Sequence, residues 1–119
     1  MSVTPSQIDL LSKLLDATAL RQGVIGQNLS NVNTPGYRRV DVDFEKELVR
    51  LLQTDHSAKF DDLGATVFET QGLPERADGN NVDVDMEIGQ LSKNVLLHQT
   101  YAQLLTSKFA MMRSAITGQ

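Results

Sequence analysis

The chain has 119 residues, with 11 Lys and Arg against 15 Asp and Glu, no Cys and no Trp, and a formal charge of −4. That length holds one small domain, and the missing Cys excludes disulfides, thiolate-bound metals and Cys nucleophiles. The acidic balance argues against a nucleic-acid partner, which needs a basic face, and no apolar run approaches the roughly 20 residues of a membrane span. The acidic excess is local: residues 1–53 hold six basic and six acidic side chains, 54–82 two and six, and 83–119 three and three.

The opening residues, Thr4-Pro5-Ser6-Gln7, read as an N-cap Thr, Pro at the first helical position and Gln three residues after the cap. They contain no basic leader followed by an apolar block, so no secretory signal peptide is expected. From there Ile8, Leu11, Leu15, Thr18, Gln22, Ile25, Leu29 and Val32 recur at steps of three and four, the spacing of one helix face. Asn31, Asn33 and Pro35 end the pattern, and Thr34-Pro35-Gly36-Tyr37 suits a type II turn. A short helix is expected from Asp43 to Gln53, with Asp43 as cap and Phe44, Leu48, Leu51 and Leu52 as its stripe.

Residues 54–82 lack sustained periodicity and read as irregular, apart from a candidate strand over Ala65 to Thr70. Asp83 can then cap a long helix whose first turn carries Asp85 and Glu87. In it Val84, Ile88, Leu91, Val95, His98, Ala102, Leu105, Phe109, Met112 and Ile116 alternate steps of four and three without a slip. Such a helix, on the order of 50 Å long, asks for a partner along its length. The N-terminal stripe can supply one, leaving Leu97, Tyr101, Leu104 and Met111 for neighbouring subunits. The expected fold is therefore mainly α: long N- and C-terminal helices pair as an α-helical coiled coil around an irregular or partly β middle segment. The expected parts are 1–40, 41–82 and 83–119.

Little in the chain points to catalysis. His98 sits inside the seam as a packed residue, and His56 stands beside Asp55 on a polar stretch with no second ligand in view. The run from Asp78 to Asp85 fails as an EF-hand, because its fifth position is Val82 and its sixth, where the turn needs Gly, is Asp83. Asn28-Leu29-Ser30 matches a glycosylation sequon but falls on the first helix. No enzyme activity, metal or cofactor is expected.

Two blocks are distinctive. Gly26 to Arg39, containing Asn28, Leu29, Asn31, Val32, Asn33, Thr34, Pro35, Gly36 and Tyr37, resembles the N-terminal signature of the axial proteins of the bacterial flagellum, the rod and hook family. Gly79-Asn80-Asn81-Val82-Asp83, with Leu91, Asn94, Gln99, Leu104, Leu105, Lys108, Phe109, Arg113 and Ile116, is similar to the C-terminal half of its short proximal rod members. The resemblance implies a structural subunit of the proximal rod of the basal body. Such a subunit polymerises through its terminal helices into a hollow shaft that transmits torque, with Asn28 to Tyr37 as an assembly motif. It also implies unfolded export by the flagellar type III apparatus to a periplasmic site. The implied partners are further copies, other rod proteins, the membrane-ring adaptor and the export gate. Two rival readings stand beside it: a self-contained helical-hairpin adaptor or export chaperone, and an enzyme or metal protein using His56 with nearby acids.

Overall fold

Two helices carry most of the chain, and the reason each stops is local. The structure, a computed structural model, describes residues 5–53 and 64–118; Thr4 and His56 lie outside them. Helix α1 (Pro5–Ser30) ends where Asn31 and the residues before Pro35 leave the helical region. Strand β1 (Val40–Asp43), helix α2 (Glu45–Gln53) and strand β2 (Thr66–Glu69) follow, and helix α3 (Val84–Thr117) closes the chain. Asp83 caps α3 through its side chain, which accepts from the Asp85 and Met86 backbone N–H groups, and Gly118 closes the helix in a left-handed conformation. The Pro35-Gly36 turn forms as expected, with Gly36 at φ 75° and the Tyr37 N–H donating to the Thr34 carbonyl at 3.2 Å.

The two long helices pair antiparallel, because Asn28 near the end of α1 meets Glu87 near the start of α3 while Thr18 meets His98. The resulting body measures 64 × 29 × 15 Å. On its side β1 and β2 form a two-stranded antiparallel sheet, with Val40 opposite Glu69 and Val42 opposite Val67. Leu14, Ala17 and Val24 of α1 pack with Val42, Phe44 and Leu51, and this cluster is the apolar core.

Packing on two sides turns α1 away from its expected face. Leu11, Thr18 and Ile25 are buried, but Ile8, Leu15 and Leu29 are only half-buried and Gln22 is exposed. Leu14, Ala17, Val24 and Asn28 take their place, because this edge of α1 also covers the sheet and α2. Helix α3 is rotated similarly. Its buried row runs through Glu87 and Asn94 to the core-packed Tyr101, one residue ahead of Ile88, Val95 and Ala102. Leu91, Val95, His98, Ala102 and Leu105 are half-buried, whereas Val84, Ile88, Phe109, Met112 and Ile116 are exposed, Ile116 to 81%. Polar bonds from Glu87 and Asn94 to α1 hold this rotation, and a count of apolar residues alone does not register them.

Two local expectations need correcting. Asp43 does not cap α2: it is the last residue of β1, opposite Thr66, and the first helical bond runs from the Leu48 N–H to the Phe44 carbonyl. Leu52 points outward, 59% exposed, since Phe44, Leu48 and Leu51 already fill the side of α2 that meets the core.

Candidate functional site

The two distinctive sequence blocks meet in space and form a polar clamp. Its centre is Asn28, fully buried at the end of α1. The Asn28 Nδ2 donates to the Val40 carbonyl at 2.8 Å and to Glu87 Oε2 at 3.2 Å. Its Oδ1 accepts from the Val40 N–H and from the Tyr37 hydroxyl, both at 3.0 Å. All four hydrogen-bonding capacities of the amide are used, so one side chain joins α1, the turn, β1 and α3.

Arg39 is the second anchor. Its guanidinium, almost wholly buried, donates through Nε to Glu87 Oε1 and through Nη1 to Asp41 at 3.2 Å and the Thr70 hydroxyl at 2.8 Å. Burial works against its charge, but the Glu87 and Asp41 carboxylates outweigh that and hold its pKa above the ordinary Arg value. Burial, reinforced by the nearby Glu87 charge, likewise raises the Tyr37 phenol.

Loop 76–83 closes the clamp from the other side. Asn80, fully buried, donates through Nδ2 to the carbonyls of Asn31 and Thr34, each at 2.9 Å. Asn81 Oδ1 accepts the Arg39 N–H at 2.6 Å, and the Gly36 N–H donates to the Asp78 carbonyl at 2.8 Å. Arg76 reaches the carbonyls of Val82 and Val32. Gly79 adopts φ 85° with its Cβ position 3.5 Å from the Gly36 Cα, so two left-handed glycines cross back to back.

A second polar contact lies midway along the helix pair. The Thr18 hydroxyl lies within hydrogen-bond distance of the Leu14 and Leu15 carbonyls, each at 3.0 Å, and pairs with His98 Nδ1 at 2.8 Å. Asn94 Nδ2 donates to the Thr18 carbonyl at 2.8 Å, while its buried Oδ1 has no partner among the described residues.

Of the expected motif, Asn28 lies at the centre, Asn31 and Tyr37 engage the clamp, Leu29 and Val32 are half-buried, and Asn33, Thr34, Pro35 and Gly36 form an exposed rim. Tyr37, the last residue of that motif, spends its hydroxyl inside the chain. Arg39, Asn80, Asn81 and Glu87 were not singled out as site residues. Three of them fall inside the two blocks, and an Asn pair directly before a helix cap is the one local cue. Among the described residues no group of three or more His, Asp or Glu could hold a metal, and no helix is long and apolar enough to cross a membrane.

Two long paired helices locked by a polar clamp define an elongated α-helical building block. The family profile described as flagella basal body rod protein matches residues 15–38, from the middle of α1 through the turn. Over most of its length the chain is also similar to flagellar basal body rod proteins FlgB. It is 30% identical to that of Borrelia hermsii, covering 92% of this chain and 94% of the relative. For Bacillus subtilis the figures are 28%, 99% and 98%, and for Escherichia coli 30%, 86% and 86%. The chain belongs to the FlgB family and is a structural subunit of the flagellar basal body rod.

Proposed function

We propose that the subunit sits in the proximal rod and polymerises laterally through its helix pair, forming a hollow shaft that transmits torque. The observation that carries this reading is the apolar surface α3 leaves unused. Val84, Ile88, Phe109, Met112 and Ile116 are exposed on a helix whose polar row already faces α1. In water such a row favours association, since each apolar side chain covered contributes about 1.5–3 kcal/mol. The termini, 1–40 and 83–119, then form the inner layer, while 41–82, where acidic side chains outnumber basic ones by six, faces outward.

In this reading the clamp fixes the direction in which the chain leaves the end of α1, and the rim Asn33 to Gly36 contacts the neighbour. Adjoining rod proteins, the membrane-ring adaptor and the type III export gate are the partners, and the site is periplasmic after export. The test replaces an exposed apolar residue with a charge: Ile88→Lys and Phe109→Lys in the flagellated cell. Both variants keep the helix content of the purified chain, disappear from isolated basal bodies and abolish swimming. Wild-type swimming by both variants would refute assembly through this face.

A further inference from the structure

We propose that the outer edge of β2 is a docking site for an extended basic strand of another polypeptide, distinct from the helical assembly face. The two edges of the sheet are treated very differently. On β1 the outward groups are those of Val40 and Val42, and side chains occupy them all. Asn28 takes both Val40 groups, Arg21 donates to the Val42 carbonyl at 2.9 Å, and Asp41 accepts the Val42 N–H at 2.7 Å. Asp41 and Asp43 therefore turn toward β2 and pair with Phe68 and Thr66, while the Thr70 N–H continues the ladder to the Arg39 carbonyl.

That register points the N–H and C=O groups of Val67 and Glu69 away from β1, and no described residue bonds them. All four residues of β2 are exposed, with Val67 at 49% and Phe68 at 42%. Thr66 to Glu69 contains no Lys or Pro, the residues that commonly guard such an edge. An added strand would find two donors, two acceptors and an apolar side chain on each face.

Charge selects the occupant. Glu69 and Glu75 share the single guanidinium of Arg38, at 3.7 and 2.5 Å, which leaves this end of the edge one negative charge in excess. A Lys or Arg opposite Glu69 balances it. A second copy of β2 brings Glu and no cation, and each copy carries −4. The edge is short, so the strand binds weakly when free and firmly when tethered by other contacts.

The test measures amide hydrogen exchange of the full chain with the blocked peptide Lys-Val-Lys-Val-Lys, and with Glu-Val-Glu-Val-Glu as control. The basic peptide slows exchange at Val67 and Glu69 by about tenfold and the acidic one does not. Val67→Pro removes the outward N–H without touching the β1 ladder and abolishes this protection. Glu69→Lys reverses the preference between the peptides, which keeps the test decisive if the Pro variant unfolds. Equal protection by both peptides, protection that rises with protein concentration alone, or none at millimolar peptide would each overturn the proposal. The assay involves no rod assembly, so its failure leaves the assembly reading intact.

Discussion

Asn28→Asp replaces one N–H₂ group with oxygen and leaves the side-chain shape unchanged, so its effect isolates the clamp's hydrogen bonds. In the native chain Nδ2 donates to the Val40 carbonyl and to Glu87 Oε2, in a site with no solvent exposure. The variant can donate to neither, and each acceptor left unpaired in the interior costs about 1–3 kcal/mol. The new carboxyl also faces the Glu87 carboxylate. The sum is about 4 kcal/mol at neutral pH, roughly a thousandfold in the folding equilibrium. The pH dependence has a definite sign. Burial and the Glu87 charge raise the new carboxyl's folded pKa above its unfolded value of about 3.9, so the unfolded chain releases its proton first. The variant therefore loses stability as pH rises between those two values and recovers part of it on acidification. Urea unfolding of variant and wild type, followed by helical circular dichroism at about pH 5 and about pH 7.5, measures both effects. A neutral-pH loss below about 1 kcal/mol, or a variant that gains stability relative to wild type as pH rises, would refute the account of Asn28.

Glu87→Leu alone takes the closer of two carboxylates from the buried Arg39 guanidinium and costs about 3–5 kcal/mol, whereas the pair Glu87→Leu/Arg39→Met recovers most of it; a double-variant loss equal to the sum of the two single losses would show the pair to be uncoupled. With two Tyr and no Trp, tyrosinate absorbance reports only Tyr37 and Tyr101, both raised above 10.0 mainly by burial. Their folded values exceed the unfolded ones, so the stability they contribute is present below that pH and drains away above it. The folded chain should accordingly titrate at higher pH than the chain in urea. Gly79→Ala and Gly36→Ala each force a side chain into a left-handed φ, near 85° and 75°, and each should cost about 1–2 kcal/mol in a urea melt. Their costs should be similar, because the added carbon at Gly79 meets only an ordinary 3.5 Å contact.

Much of the helical architecture was legible from local chemistry. Thr-Pro-Gly-Tyr specified its turn and Asp83 its cap, and unbroken three-four spacing specified two long helices. The rotation of those helices was not legible. Glu87, Asn94 and Asn28 occupy the seam because each finds a hydrogen-bond partner there, and apolar periodicity assigns such positions to the surface. Strand β1 was missed because Val-Asp-Val-Asp is only four residues long, although its strict alternation is a strand signal. The clamp was half visible. Each block was recognisable alone, but nothing within either says that Asn80 caps the carbonyls of Asn31 and Thr34, 49 and 46 positions away.

The crossing of the chain at Arg39 and Asn81, 42 positions apart, ties it into a closed loop with a fixed neck. The entropy of closing such a loop grows only with the logarithm of its length, so doubling the stretch between those residues costs about 0.6 kcal/mol. The neck and the helices beyond it are thus thermodynamically almost blind to how much chain the loop contains. A segment inserted there, even one with a fold of its own, can be carried on the outside at little cost to the paired ends.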